Sequence, residues 1–401
     1  MRDLDIFQAA LGLGEEWTVV KTEFDAQGKR LDIYLDFYPG TQFPCMVCGL
    51  PTRVYDTTER IWRHLKFFQY ATYIHARLPR VEYQKDGVRQ IQIPWARERS
   101  GFTLLFEALV MALADEMPIC AIVDMVGVHD TRIWRIIERY VNKDVARLDL
   151  SKVRKVGVDK TSSKRGHHYV TLFVDMDTSK VIFVTKGKDA DSLQAFKEHL
   201  EAHKGKADQI LEFSSDLSPA FIAGITTYFP NAHSTFDKFH VMKLLNKAVD
   251  DTRLSEQMQE RSLKSSRYVW LKNPQNLTKK EQAKLDTFSG KKLKTGRAYR
   301  MKLLFQELFT YEENQALFGL KKWYIWAMHS RLDPIKAFAK TLKKYWNGIT
   351  RWFKSKLTNG VLEGLNSFVQ AAKVRARGYR SIEYFKLMIS MVAGKLGHLP
   401  T

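Results

Sequence analysis

The chain reads as a multidomain α+β protein, and three observations carry that reading. Up to about Trp95, apolar and polar residues alternate in strand fashion (LDIYLDFY, ATYIHARL, RQIQIPW), the period expected of half-buried strands. Between residues 153 and 237, strand-like and helix-like segments follow one another in the order βββαβαβ. From Phe239 onward the apolar spacing is helical, with breaks near Asn273-Pro274 and Asp333-Pro334. At 401 residues and 45% hydrophobic content, the chain can bury two or three cores, and a disordered protein is excluded.

Residues 1–95 predict a small β-rich module built around Cys45-Met46-Val47-Cys48-Gly49. Cys45 and Cys48 are half of a zinc site, which ordinarily needs four thiolate or imidazole ligands. His64 and His75 could supply imidazoles. Bound zinc and a metal-free relic of a finger both stand open.

Residues 100–150 turn helical, and MPICAIVDMVGVHDTRIWRIIERYV has the form of a helix-turn-helix. Ala121 would lie in the first helix, Gly127 at the turn and Asp130 near the cap of the second. Arg132 and Arg135 would then face the major groove or its phosphates. A plain helical packing unit is the alternative.

Residues 151–240 hold the mixed region. RKVGVD, HHYVTLFVDMD and KVIFVTKG are three strands joined by short polar turns; ADSLQAFKEHLEAH is an amphipathic helix, and QILEFSSD, SPAFIAGITTYF and HSTFD follow as strand, helix and strand. The order matches a ribonuclease H-like core, in which the first and fourth strands lie side by side. A crossover helix between parallel strands is what connection rules demand. Roughly 120 residues separate His240 from Glu363, far more than a simple connection needs. Residues 241–355 are therefore expected to be an all-α insertion, and residues 356–401 to complete the core with the helix of TNGVLEGLNSFVQAAK. Trp323, Trp326, Trp346 and Trp352 fit its core better than base stacking.

Lys and Arg total 64 against 44 acids, a formal charge of +20, and such an excess attracts phosphate backbones. Three cysteines exclude a disulfide framework. The opening MRDLDIFQAALGLGEE lacks a signal-peptide core, and FTLLFEALVMALA is too short for a membrane span. A cytoplasmic, nucleoid-associated protein with no membrane partner is expected.

Asp159 closes Val156-Gly157-Val158, Asp216 ends ILEFSSD, and Glu363 stands on a helix. Converging acids repel unless a cation neutralises them, and Mg²⁺ prefers such oxygen ligands. Two ions roughly 3.5–4 Å apart can stabilise both oxygens of an in-line phosphoryl displacement. Taken singly, each acid could instead cap an element or pair with a lysine. Asp175 and Asp177 rival Asp159, but the antiparallel second strand should point its end away.

The stretches VGVDKTSSKRGHHYVTLFVD, DLSPAFIAGITTYFPNAHSTFDKFHVMKLLNKAVD and TNGVLEGLNSFVQAAKVRARGYRS resemble the ISL-three family of bacterial insertion-sequence transposases, over nearly the whole chain. The resemblance implies a DDE enzyme with Asp159, Asp216 and Glu363 as catalytic acids holding two Mg²⁺ ions, with Mn²⁺ as a substitute. It implies double-stranded DNA partners (element ends and target) and a homo-oligomer on DNA. The family usually has an acid after the first Asp; here Lys160 follows, expected to point to the opposite face of its strand. Asp237 and His240 in FDKFH would orient the site or a DNA strand, or lock a turn. Asn366, one helical turn from Glu363, could fix a carboxylate. Lys373, Arg375, Arg377 and Arg380 would contact phosphates or form a solvated face. In the family a second Cys pair follows PRV, whereas this chain has Tyr83 and Asp86. A transposase-derived repressor that no longer cuts, and a nuclease without strand transfer, are the competing readings.

Overall fold

The structure is a computed structural model that describes residues 3–44, 49–83, 87–357 and 360–394. One compact unit contains the chain up to Ala146, and a second begins at Arg147.

In the first unit, helix α1 (Asp3–Leu11) precedes strands β1 (Trp17–Asp25), β2 (Arg30–Phe37), β3 (Phe43–Pro44), β4 (Pro51–Thr52), β5 (Val54–Arg63), β6 (Ala71–Tyr83) and β7 (Gly87–Gln90). The main sheet runs β1-β2-β6-β5, with β7 paired to β6, while β3 and β4 pair separately. Alternate residues Leu31, Ile33 and Leu35 of β2 join Trp17, Trp62, Ile74 and Trp95 in one core, as period two requires. Cys45, Cys48 and Asp86 lie outside the described residues. His64 shares a hydrogen bond with Thr103 Oγ1 at 2.9 Å, and burial pushes its pKa down to about 4. His75 pairs with Asp32, so both candidate imidazoles are engaged elsewhere.

Three helices complete this unit: α2 (Leu104–Glu116), α3 (Ile119–Val126) and α4 (Asp130–Val145). Thr103 caps α2. Gly127 ends α3 at φ 69°, a left-handed turn that costs glycine little. His129 is the N-cap of α4 and Asp130 its first residue. Ile133, Trp134, Ile136, Ile137 and Tyr140 form the buried face of α4. Glu107 is fully buried and completely partnered: Arg97 Nε donates to both oxygens at 2.9 and 3.0 Å, Ser100 Oγ at 2.8 Å and Tyr140 OH at 2.6 Å.

The second unit opens with β8 (Lys155–Lys164), β9 (His168–Asp175), β10 (Lys180–Lys186), α5 (Asp191–Ala202), β11 (Glu212–Ser215), α6 (Pro219–Tyr228) and β12 (His233–Phe236). These are the seven elements read from the sequence, in that order. The sheet is ordered β10-β9-β8-β11-β12, so the first and fourth strands are neighbours and run parallel. β9 shows how its two faces are filled: Phe173 packs with α5 and α6, whereas Val170, Leu172 and Val174 pack with Leu362, Val369, Phe385 and Ile389. The latter four come from α14 (Gly360–Arg375) and α15 (Ile382–Gly394).

Between β12 and α14 run α7 (Lys238–Gln257), α8 (Arg267–Leu271), α9 (Lys279–Asp286), α10 (Lys294–Glu307), α11 (Glu313–Met328), α12 (Asp333–Lys344) and α13 (Trp346–Ser355). They share a core that includes Leu245, Phe305, Trp323 and Trp352. Trp346 packs at its edge, and Trp326 is exposed. The helical run is interrupted near Pro334 as expected: α11 ends at Met328 and Pro334 stands in the first turn of α12, where a missing N–H has no cost.

Two strand details differ from the sequence reading. β8 continues five residues past Asp159 because its antiparallel register with β9 persists to Lys164. Its parallel pairing with β11 ends at Gly157↔Ser214, since β11 is only four residues long. Asp159 therefore lies in mid-strand, just beyond the last parallel pair.

Candidate active site

Strand alternation decides which way the β8 side chains point. Val156 and Val158 belong to the core shared with α5 and α6, so Gly157 and Asp159 face α14. A Cβ on Gly157 would lie 2.9 Å from Leu362 Cδ2 and 2.5 Å from Met176 Sδ, so the glycine is what lets α14 approach the strand. That approach brings Asn366 Nδ2 onto Asp159 Oδ2. The other oxygen of Asp159 accepts the Lys160 backbone N–H at 2.8 Å. Burial raises the pKa of Asp159 above the usual carboxylate range, outweighing the Lys160 backbone N–H and the nearby His240 and Lys160 charges, which pull it down.

Asp216 stands just past β11 and is buried. Its Oδ1 accepts from Ser218 N at 3.0 Å in the turn that opens α6. Its Oδ2 accepts from Lys160 Nζ at 2.8 Å, and that ammonium also lies 5.6 Å from the Phe221 ring of α6. Lys160 thus starts on the α6 side of the strand yet does not stay clear of the acids. The reason is that Asp216 sits beyond the strand end, within reach of a long flexible stem.

Asp237 is buried between β12 and α7, and its Oδ2 accepts from His240 Nδ1 at 3.2 Å. That hydrogen bond, opposed by burial and aided by the charges of Asp237, Asp216 and Asp159, raises the pKa of His240. Asp159, Asp216, Asp237 and His240 thus form one electrostatically coupled group. Glu363 stands in the first turn of α14, exposed, and lines a cavity with Asp237. Asp175 is occupied by its own turn, accepting from Asp177 N at 3.1 Å and Thr178 Oγ1 at 2.6 Å.

Among the described residues, no three acidic, histidine or cysteine side chains converge closely enough to hold an ion. The donor set nevertheless suits a hard cation: the half-buried Asp159, the buried Asp216 and Asn366 Oδ1, a buried oxygen without a hydrogen-bond partner. Such an orphan needs an explanation, and an oxygen-seeking ion beside Asp159 supplies one.

The basic candidates divide. The Arg132 guanidinium stacks 4.2 Å over Phe102 of its own unit, whereas Arg135 is exposed beside Glu138, Arg139, Asn142 and Lys143. Arg139 and Lys143 were not singled out from the sequence, although their spacing along α4 was legible. Lys373 is tethered, its Nζ donating to Ser162 O at 2.7 Å. Arg375, Arg377 and Arg380 are exposed. No helix among the described residues is long and apolar enough to cross a membrane.

Comparison with known proteins places this geometry in context. A family model described as transposase, the DDE domain of the ISL3 type, matches residues 156–389. A second, the helix-turn-helix domain of transposase family ISL3, matches residues 91–141. The transposase for insertion sequence element IS1557 of Mycobacterium tuberculosis is 25% identical, covering 100% of this chain and 97% of the relative. The transposase for IS1001 of Bordetella parapertussis is 26% identical, covering 95% and 96%. A chain in the simian T-cell lymphotropic virus intasome complex with PP2A regulatory subunit B56 gamma is 15% identical over 47% of this chain and 66% of its own, with a TM-score of 0.19, too low to bear on the fold.

Proposed function

From the premise that this chain belongs to the ISL3 family of insertion-sequence transposases, we propose that it binds the terminal inverted repeats of its element and carries out metal-dependent DNA cleavage and strand transfer. The mixed unit is read as a ribonuclease H-like core interrupted by an all-α insertion, a reading supported by the strand order and the parallel first and fourth strands. Asp159, Asp216 and Glu363 are assigned as the catalytic carboxylates. The observation that carries the assignment is the Asn366–Asp159 hydrogen bond, which ties the helix bearing Glu363 to the strand bearing the first acid.

Mg²⁺, or Mn²⁺ in its place, would neutralise these acids and stabilise the attacking and leaving oxygens of each displacement. The protein's own residues supply position. Asn366 fixes Asp159, Ser218 N fixes Asp216, and Asp237 holds the His240 ring by a hydrogen bond to Nδ1. Arg135, with Arg132 braced on Phe102, would place α4 on DNA; Lys373, Arg375, Arg377 and Arg380 follow α14 toward the phosphates. Bringing two element ends together requires a homo-oligomer on the DNA.

One observation favours a different reading. Lys160 already neutralises Asp216, as it would in a repressor descended from a transposase that binds ends without cutting. A strand-transfer assay with Mg²⁺ and labelled element ends separates the readings. Joined products that vanish in Asp159→Ala support the transposase. Binding without cleavage by the unmodified protein supports the repressor, and cleavage without joining supports a nuclease.

A further inference from the structure

Positive charge is not spread evenly along this chain. Residues 261–300 hold twelve Lys and Arg against two acids, so a tenth of the length carries half of the formal charge of +20. The acids packed around this stretch are already engaged. Glu281 is paired with Lys272, and Glu260 lies 3.5 Å from Lys291. Asp250 holds Arg253 and Arg267, and Asp286 accepts from Gln282 Nε2 at 2.9 Å.

The fold gathers the surplus. A hollow of about 670 Å³ opens between the end of α9 and the first half of α10, where Lys292, Lys294, Arg297 and Arg300 line it and Asp286 is the one carboxylate on its wall. Lys292, Lys294 and Arg300 are exposed and Arg297 is half-buried. Among the described residues, none of these four side chains has an ion pair or a hydrogen bond. Even the enclosed Nε of Arg297 lacks an acceptor, so the fold leaves that guanidinium unneutralised.

Four free cations around one hollow attract an anion, and two further observations say which kind. A single phosphate is a poor fit. The N–H groups in the first turn of α10, which would otherwise cradle it, are taken by Glu256, whose oxygens accept from Lys294 N and Thr295 N at 2.8 Å each. What remains is a set of long, flexible point charges, suited to a polyanion whose charges repeat along a line. Helix α10 also sets where that polyanion runs. Its second half, through Lys302 and Gln306, lines the cavity beside Glu363, while its first half carries Lys294, Arg297 and Arg300. At the rise of an α-helix, Arg297 and Gln306 stand roughly 14 Å apart along one rigid element, a span of about four base pairs.

We propose that the α9–α10 face of the helical insertion grips the phosphate backbone of the element-end duplex, a few base pairs from the bond handled by Asp159, Asp216 and Glu363, without reading its sequence. The inference rests on the transposase reading, which gave DNA contacts to α4 and to the segment from Lys373 to Arg380. The element end is the duplex that occupies the site during cleavage and joining alike; target DNA enters only for the second.

The test compares two double variants of the full-length protein that remove equal charge. Arg297→Ala with Arg300→Ala strips the hollow, whereas Lys279→Ala with Lys280→Ala removes exposed charge at the start of α9, outside it. Binding to a labelled terminal-repeat duplex is followed across a salt series. The first pair should flatten the slope of log affinity against log salt by about two and weaken binding at least about tenfold in roughly 0.1 M salt; the second should leave the slope unchanged. Hydroxyl-radical footprints of the first pair should lose protection only within about one helical turn of the element's terminus. Equal effects from both pairs, or an unchanged slope for the first, would overturn the proposal. Normal end binding and cleavage with a loss confined to joining would give the face to target DNA, and a larger loss of binding to anionic phospholipid vesicles than to duplex would give it to a membrane; each contradicts the proposal. Unmodified protein that binds the duplex but never cleaves would remove the transposase reading, and the slope and footprint would still decide this one.

Discussion

Two acid clusters, one in each unit, have different electrostatic characters. Glu107 in the first unit is surrounded by Arg97, Ser100 and Tyr140, and both its oxygens are partnered. Asp159 in the second unit has a backbone N–H and an amide, with Asp216 close enough to raise its pKa further. Beside it, Asn366 Oδ1 goes without any partner. A carboxylate that the fold satisfies completely is a structural member. One whose charged form the fold disfavours, as desolvation does for Asp159, is a candidate for binding. On the function proposed above, that difference would separate scaffold from site.

The contrast breaks most visibly under substitution of the acids themselves. Asp159→Asn or Asp216→Asn should reduce strand cleavage by at least about a thousandfold with duplex affinity retained, measured on labelled element ends. In metal-free buffer Asp159→Asn should also raise the unfolding midpoint, since it removes a charge that desolvation disfavours in the fold. Glu107→Ala should do the reverse, costing about 3–5 kcal/mol of stability by stranding Arg97 and Tyr140; a denaturant titration would read it. An unchanged midpoint for Glu107→Ala would erase the distinction drawn here.

Smaller changes sharpen it. Gly157→Ala should cost about 1 kcal/mol, the low end for overpacking, because Met176 can rotate away while buried Leu362 cannot; cleavage should fall further than stability as α14 is displaced. Lys160→Ala should raise divalent-ion affinity severalfold in a Mn²⁺ titration of the DNA-free protein, since the residue competes for Asp216. Smallest is a pH effect. The pKa of His240 is raised in the fold, so its stabilising contribution is fully present below its unfolded value near 6.5 and is lost as pH rises through the folded value. Asp237→Asn should flatten that dependence in thermal unfolding measured across neutral pH.

Much of this was legible in the sequence, where local pattern decides the outcome. The βββαβαβ order followed from periodicity and turn residues, and Gly127 marked the turn between α3 and α4. Asp159, Asp216 and Asn366 could be singled out because they stand at the ends of apolar runs or one helical turn from another acid. What escaped needed partners distant in sequence. Glu107 was visible only as a charge interrupting an apolar stretch; Arg97 and Tyr140, which satisfy it, lie 10 and 33 residues away. Lys160 was expected to stay on the far face of its strand, and alternation alone could not reveal that Asp216 would sit past a strand end within its reach. The cavity beside Glu363 draws its walls from four helical segments, so no single stretch of sequence carries its signature. For Cys45 and Cys48, metal analysis of the purified protein decides between a zinc finger and its relic.

The claim beneath all of this is that Asp159 and Asp216 await a divalent ion. Crystals soaked in Mn²⁺ and measured at the manganese edge test it directly. The expected result is an anomalous peak between the two carboxylates, with Lys160 withdrawn from Asp216. Saturating Mn²⁺ that leaves Lys160 seated on Asp216, with no peak at Asp159, would contradict it.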